Sequence, residues 1–379
     1  MNFIVFNEII QYLEFNQDVI NLLRVDKKSY SFRKLIRFPR APCEFWEKND
    51  SIDIPLKYRV LAIKNDKQYD RVRNIKGLLD NLSYDHLKYN TSPSRVIEPF
   101  LTRQERLTKV SLGRDFNQPF YNGLFPLSIV SLKFIESSGI ISFFSGKFSQ
   151  VIIEGHLPEK LLSLSLGNIF NHPIAVNTIP QTLVSLTLGA EFDQNIDFLK
   201  PLLNLKKLDL GVQFNREIQP GQLPANLEYL CLSHRYNIPL KPNALPNSLV
   251  WLSMSFHYNF DIGYGVLPNN LKRIKFGSRF NSSCCFNSGI ERITFGGDFN
   301  QVLTNLIFQN PIDSVKCISF RRSASFKQEI NENSLPRNIK SLKLQYSFSQ
   351  PLSELQRIYP NLESLSIGEK KFVLTSLKN

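Results

Sequence analysis

The stretch LLSLSLGNIFNHPI, residues 161–174, is nearly repeated as LVSLTLGAEFDQNI, residues 183–196. The second copy begins 22 residues after the first, and the same step continues beyond both copies. At the aromatic position the step gives Phe170, Phe192, Phe214, Tyr236, Tyr258 and Phe280. A fixed period of this length indicates a repeat architecture in which each unit packs mainly on its two neighbours.

One unit has the pattern L-x-x-L-x-L-G-x-x-F-N-x-P-I followed by a return segment that ends in L-P. The alternation of Leu with polar residues predicts a short strand with its Leu side chains on one face. The Gly permits a turn, and the Phe is predicted to point inward and stack on the Phe of the next unit. The Asn is predicted to form a ladder by bonding backbone groups, and the Pro to hold an extended return segment.

Less regular copies extend the array in both directions. They cover 107–120, 290–303, 315–330, 339–352 and 362–372, with worn copies at 129–149 and 55–69. A single unit cannot bury its own Leu and Phe, so about twelve stacked units would share one continuous core. The predicted fold is mainly β: a curved, leucine-rich-repeat-like solenoid of roughly 22-residue units, with short turns on its convex side.

The repeat core, seen here as FNQPF, FNHPI and YNIPL, resembles the FNIP repeat. That resemblance implies a relationship to leucine-rich repeats. It also implies a source among social amoebae or the large DNA viruses that infect amoebae.

The first forty residues have a different, helical periodicity, with apolar side chains on one face of two successive helices. Glu8-Ile9, the run from Asp18 to Leu22 and Val25 resemble the F-box pattern. The predicted organisation is an F-box-like module at 1–40, a linker with a degenerate repeat at 41–105, and the repeat solenoid at 106–379. The apolar residues expected to bind a linker protein are Phe6, Ile9, Ile10, Leu13, Val19, Leu22 and Val25.

The resemblance to F-box proteins implies a partner and a role. The module would bind a Skp-type linker that joins it to a cullin–RING ubiquitin ligase, and the solenoid would hold a target protein for that ligase. In a viral chain the ligase would belong to the host. Two alternatives stay open: a binding scaffold whose helices only cap the solenoid, and a basic nucleic-acid binder.

The formal net charge of +13 comes from 46 Lys and Arg against 33 Asp and Glu. These basic residues are dispersed, and no run of five occurs, so nucleic acid is the weakest of the three expectations. Five cysteines without a C-x-x-C pair, and an opening segment without a basic stretch, favour the cytoplasm. No apolar run reaches the length of a membrane span, so no membrane association is expected.

No arrangement of residues typical of a catalytic, cofactor or metal site is evident, so the protein is predicted not to be an enzyme. His234, His257 and Cys231 lie close in consecutive units but lack the pair spacing of metal ligands. Cys284 and Cys285 interrupt the pattern and are interpreted as small apolar filler.

The x positions of L-x-x-L-x-L point away from the core, onto the open face of the sheet. Read at the repeat step, Tyr229, Trp251 and Arg273 follow one another in three adjacent strands, and such residues anchor interfaces. Arg235 and Lys275 are predicted to add positive charge at the rim of this target-binding face. The alternative is that Trp251 packs on a neighbouring loop.

Overall fold

The structure is a computed structural model. It describes residues 38–40, 57–74, 79, 82–102, 104–134, 146–303, 306–308, 314–321 and 325–373. These residues form two compact units. The first holds those up to His172 together with 178–183, and the second holds 173–177 with those from Val184 onward.

The first unit contains six strands that run parallel and pair in chain order. They are β1 (Phe38–Arg40), β2 (Lys57–Ile63), β3 (Ser83–Tyr89), β4 (Lys109–Leu112), β5 (Ser131–Phe134) and β6 (Ser163–Ser165).

The second unit continues with twelve strands. They are β7 (Ser185–Thr187), β8 (Lys207–Asp209), β9 (Tyr229–Cys231), β10 (Trp251–Ser253), β11 (Arg273–Lys275), β12 (Cys284–Phe286), β13 (Arg292–Phe295), β14 (Leu306–Phe308), β15 (Cys317–Phe320), β16 (Ser341–Leu344), β17 (Ser364–Ile367) and β18 (Lys370–Val373). The other strands pair in chain order, whereas β12 and β14 form a separate two-stranded parallel sheet. The pairing is parallel except for the last pair, β17–β18, which is antiparallel. The predicted mainly β, leucine-rich-repeat-like solenoid is confirmed, with about twelve turns.

Turns connect most strands, as the repeat length predicts. The helical elements whose bounds lie within the described residues are α1 (Asp66–Asn74), α2 (Glu98–Leu101), α3 (Leu352–Ile358) and a 3-10 turn (Asp197–Leu199). Helix α1 lies between β2 and β3 and buries Tyr69 and Val72.

The repeated Leu and aromatic residues form the core. Leu230 and Leu252 are fully buried, and Phe214, Tyr236 and Tyr258 are also fully buried. The rings of Phe214 and Tyr236 stack at 6.3 Å and 7°, and those of Tyr236 and Tyr258 at 6.5 Å and 7°. The same stacking recurs at 6.1 Å between Phe280 and Phe299 and at 6.4 Å between Phe326 and Phe348. The predicted inward aromatic stack is therefore confirmed within this unit.

The predicted Asn ladder is also present. The side-chain oxygen of Asn215 accepts the backbone N–H of Asn237 at 2.9 Å, across one repeat. Asn281 accepts the N–H of Asn300 at 2.8 Å in the same way. Asp193 replaces Asn in one unit and accepts the N–H of Asn215 at 3.0 Å. Each of these side chains thus connects its own turn to the next turn by a hydrogen bond.

At several repeats the Gly that follows the strand is required by close approach of the backbone. A Cβ at Gly277 would lie 1.7 Å from the carbonyl oxygen of Ser255 in the preceding repeat, and a Cβ at Gly296 would lie 1.7 Å from that of Gly277. Gly211 in addition has a positive φ of 76°. Successive turns therefore pack too tightly here for any side chain.

The recurring Pro does not hold an extended return segment, so that expectation was wrong. Its carbonyl accepts the N–H of the residue three positions later, at 3.1 Å from Leu249 to Pro246 and from Leu271 to Pro268. The Pro therefore opens a β-turn that delivers the chain into the next strand, because its carbonyl remains free to accept although its nitrogen cannot donate.

The segment predicted as a linker, 41–105, contains two paired strands. β2 lies in the worn copy recognised at 55–69, and β3 pairs in parallel with both β2 and β4. The F-box-like module at 1–40 lies outside the described residues except for 38–40.

Candidate functional site

The candidate site is the open face of β8 to β11 in the second unit. The ladder places Lys207 beside Tyr229, Tyr229 beside Trp251, and Trp251 beside Arg273. Leu230, Leu252 and Ile274 follow these positions in the strands and are buried, so alternation turns the three predicted anchor residues outward.

Tyr229 and Trp251 form an aromatic pair on this face. Their ring centroids are 6.4 Å apart and the planes are tilted by 39°. Tyr229 is 41% exposed, whereas Trp251 is half-buried. The ammonium of Lys207 lies 5.4 Å from the centroid of the Tyr229 ring, within cation–π range. The Tyr229 ring therefore packs against the Trp251 ring and against the ammonium of Lys207.

Positive charge borders the aromatic pair on one side. Arg273 is exposed and lies directly beside Arg292 in the ladder, and Lys275 is exposed two residues after Arg273. None of the three forms an ion pair with another residue that the structure describes. One position before Arg273 and Arg292, Lys272 pairs with Glu291 at 3.7 Å. The excess positive charge of this face is therefore concentrated on outward side chains that a partner can reach. We call Tyr229, Trp251, Arg273, Lys275 and Arg292 the aromatic–basic surface.

The second outward row holds Asp209 and Cys231 beside each other. Burial raises the pKa of Asp209, against the hydrogen bond that its carboxylate accepts from the N–H of Gly211 at 2.9 Å. Burial and the nearby Asp209 carboxylate raise the pKa of Cys231 to about 11. The thiol is therefore protonated at neutral pH, which is the unreactive form of a cysteine.

Arg235 lies on the turn after β9 rather than on a strand. Its side chain is exposed, and its backbone N–H donates to the carbonyl of Val212 at 2.9 Å. On the same turns the ring of His234 stacks on Phe256 at 4.7 Å and meets His257 edge-on at 5.5 Å. Within the described ranges, no group of three or more His, Cys, Asp or Glu side chains is placed to hold a metal ion.

Comparison with known proteins agrees with the repeat fold. The model of the FNIP repeat matches residues 148–191, 170–199, 203–234, 214–257 and 326–370. Over these residues the chain is similar to the FNIP repeat. The aromatic–basic surface lies partly within the matched ranges 203–234 and 214–257, which include Tyr229 and Trp251.

A solved structure with a similar fold is that of CroV588, described as a novel circular leucine-rich-repeat protein. The TM-score is 0.61 and the identity 27%, over 83% of this chain. This chain spans half the length of CroV588. No curated protein matches the chain.

Sequence reasoning did not select two members of this face. Lys207 occupies the same position in its repeat as Tyr229 does one repeat later, and its contact with the Tyr ring depends on a side-chain direction that spacing does not reveal. Arg292 lies 19 rather than 22 residues after Arg273, because the step between these two strands is shorter. Aligning the copy at 290–303 by its strand, rather than by the 22-residue step, would have identified Arg292 from the sequence.

The residues expected to bind a Skp-type linker, Phe6 to Val25, lie outside the described part of the chain. Among the helices that the structure describes, none combines the length and apolar character needed to cross a bilayer.

Proposed function

We propose that this protein is a non-enzymatic scaffold that binds a target protein on the aromatic–basic surface. The observation that carries the proposal is the register of Tyr229, Trp251 and Arg273, which lie side by side on the open face of adjacent strands. Tyr, Trp and Arg are the residue types most enriched among the side chains that dominate binding energy at interfaces.

The chemistry of this surface defines the partner's contact region. The Tyr229–Trp251 pair offers apolar area with fixed orientation, so the partner would supply an apolar side chain. Arg273, Lys275 and Arg292 offer three cations with no ion-pair partner among the described residues, so the partner would also supply carboxylates. An acidic segment with an apolar anchor meets both requirements.

We further propose that the scaffold is a substrate receptor of an SCF-type cullin–RING ubiquitin ligase. This finer role is supported by the sequence of residues 6–25, which resembles the F-box. In this role the chain presents its target to an enzyme held by the cullin, and its own residues perform no chemistry. One alternative is an FNIP-repeat scaffold that acts without a ligase.

The target surface is tested by comparing Trp251→Ala with Tyr264→Ala. Tyr264 is a matched control in the same unit, 63% exposed and outside the aromatic–basic surface. For a partner captured by the full chain, Trp251→Ala should weaken binding by about 2 kcal/mol, roughly 30-fold, whereas Tyr264→Ala should leave binding unchanged. The melting temperature of Trp251→Ala should stay within about two degrees of the native value, because no core side chain is removed. Equal binding by both variants, or unfolding of Trp251→Ala, contradicts the proposal.

The ligase role has a separate test. Replacing Ile9 and Leu22 with Asp in one variant should abolish co-purification of a Skp-type linker and cullin while binding of the target is retained. Retained linker binding would remove the F-box assignment and leave the scaffold proposal intact. Binding of the target that is displaced by single-stranded DNA, with affinity that falls steeply with salt, would instead favour the nucleic-acid alternative.

A further inference from the structure

A second set of outward side chains in the first unit forms a compact basic cluster. The ladder places His86 beside Lys109, and it places Ser111 between Lys88 and Lys133. The three lysines are exposed, and Ser111 is buried although it belongs to the outward row. We call these five residues the lysine triad site.

The lysines surround the buried hydroxyl from three directions. Because neighbouring strands are about 4.8 Å apart, Lys88 and Lys133 have backbones roughly 10 Å apart with Ser111 between them. Lys109 precedes Ser111 by two residues on the middle strand, about 7 Å along it. Each lysine side chain is long enough to bring its ammonium over the centre of this triangle.

His86 closes one side of the triangle. Its Nε2 lies 2.7 Å from the hydroxyl of Ser111, and its Nδ1 has no hydrogen-bond partner among the described residues. Burial and the positive charges of Lys88, Lys133 and Lys109 lower the pKa of His86 to about 4. The ring is therefore neutral at physiological pH and leaves one nitrogen for a ligand.

The positive charge of the three lysines is not balanced by an ion pair with any described residue. None of the three ammonium groups forms an ion pair within the described part of the chain, in contrast to Lys147, which pairs with Asp115 at 2.7 Å. Like charges grouped in this way repel one another, so an anion bound among them would be stabilised. A phosphate monoester has three terminal oxygens and can therefore accept from all three lysines, whereas a carboxylate has only two.

The boundaries of the cluster indicate how large the anion is. On one side the ladder continues to Val60 and Ala62 of β2, and on the other to Ser163 and Ser165 of β6. None of these four side chains is charged, so the row of lysines does not continue at the directly paired positions of β2 and β6. A nucleic-acid backbone or an anionic membrane would require cations that continue along the face.

We propose that the lysine triad site binds one phosphorylated serine or threonine of a partner protein. The phosphate would lie between Lys88, Lys109 and Lys133, with Ser111 and His86 beneath and beside it. The site lies in a different unit from the aromatic–basic surface, and it would be correct or wrong independently of the function proposed for that surface.

The test uses the full chain labelled with 15N-histidine, with the His86 signal assigned from His86→Gln. The probes are inorganic phosphate, a short Gly/Ser peptide with one phosphoserine, and the same peptide without phosphate. Phosphopeptide binding should raise the pKa of His86 by about one unit or more, because a bound dianion favours the protonated ring. The unphosphorylated peptide should leave that pKa at its starting value.

Lysine variants decide whether the anion lies among the triad. Lys109→Gln should weaken phosphopeptide binding roughly tenfold, the loss expected for one charge-assisted contact. The matched control is Lys343→Gln, because Lys343 is exposed in the equivalent outward slot of β16 but lies between Ser319 and Ser366. Each variant is compared with its own ligand-free pKa for His86, since removal of a nearby charge shifts that baseline.

Four outcomes would overturn the proposal. In the first outcome, the pKa of His86 stays unchanged with both inorganic phosphate and the phosphopeptide. In the second, the pKa of His86 responds to inorganic phosphate but not to the phosphopeptide, which would indicate a site for a small free anion. A single-stranded oligonucleotide or anionic lipid vesicles could act at lower concentration than the phosphopeptide, which would assign the site to those partners. Equal loss of binding in Lys109→Gln and Lys343→Gln would show that only overall charge matters.

Discussion

The side-chain oxygen of Asn215 accepts the backbone N–H of Asn237 at 2.9 Å, although 22 residues separate them in the chain. One exposed amide therefore fixes the spacing between two successive turns. Because the bond joins neighbouring repeats, its loss should lower stability locally rather than across the whole unit.

Asn215→Ala should destabilise the junction between these turns by about 0.5–1 kcal/mol, the net contribution of one hydrogen bond at a solvated site. The measurement is hydrogen exchange at the backbone N–H of Asn237. Asn215→Asp is the matched control, because Asp193 naturally accepts the N–H of Asn215 in the same way. An Asp variant that loses as much protection as the Ala variant would show that the bond is not the cause.

Phe214→Ala should cost roughly 3–5 kcal/mol, because Phe214 is fully buried and its ring stacks on Tyr236. Hydrogen exchange should increase more at Phe192 and Tyr236 than at Phe348, since stability in a stacked array depends on nearest neighbours. Leu203→Ala, at a side chain 55% exposed, should change little. Uniform loss of protection along the unit would contradict nearest-neighbour stability.

Gly277→Ala should destabilise the second unit by roughly 1–3 kcal/mol or more, because a Cβ there would lie 1.7 Å from the carbonyl oxygen of Ser255. Gly263→Ala is the control, since a Cβ at Gly263 would meet nothing within 4 Å. That variant should be neutral or more stable by up to about 1 kcal/mol, through the reduced entropy of the unfolded chain. Thermal unfolding of the two variants measures the difference, and equal melting temperatures would refute the close approach.

Stability should fall in the acid range partly through His86. Its folded pKa, about 4, is lower than the 6.5 of an ordinary histidine, so the unfolded chain binds the proton more readily. The contribution of neutral His86 to the stability of the folded chain is therefore fully present above about pH 6.5 and is lost as the pH falls toward 4. The groups that face the ring are Lys88 on its own strand, Lys109 and Ser111 on β4 and Lys133 on β5; on β2 the facing residues, Val60 and Ala62, do not titrate.

His86→Gln should accordingly lose less of its melting temperature between pH 7 and pH 5 than the native chain does. Comparison of the two proteins cancels the other histidines, which are common to both. If the melting temperatures of the two proteins decreased equally, the environment of His86 would not suppress its protonation.

Several core positions could be predicted from the sequence because they recur at a constant step. Phe214 and Tyr236 lie 22 residues apart, and any parallel stacking of equal turns places such residues on each other. The outward direction of Tyr229 follows equally from its alternation with Leu230. By contrast β3 was missed, because Tyr84, Leu87 and Tyr89 fill the core there without the Leu and Phe-Asn pattern.

By itself, the sequence determined the period and the inward residues, since these depend on contacts that repeat identically. Only the tertiary structure decided which unlike residues meet. His86, Ser111 and Lys133 come from turns of unequal length, and the hydrogen-bonded register of β3, β4 and β5 brings them together. A strand register is set by backbone pairing between whole turns, which composition and spacing within one turn do not specify.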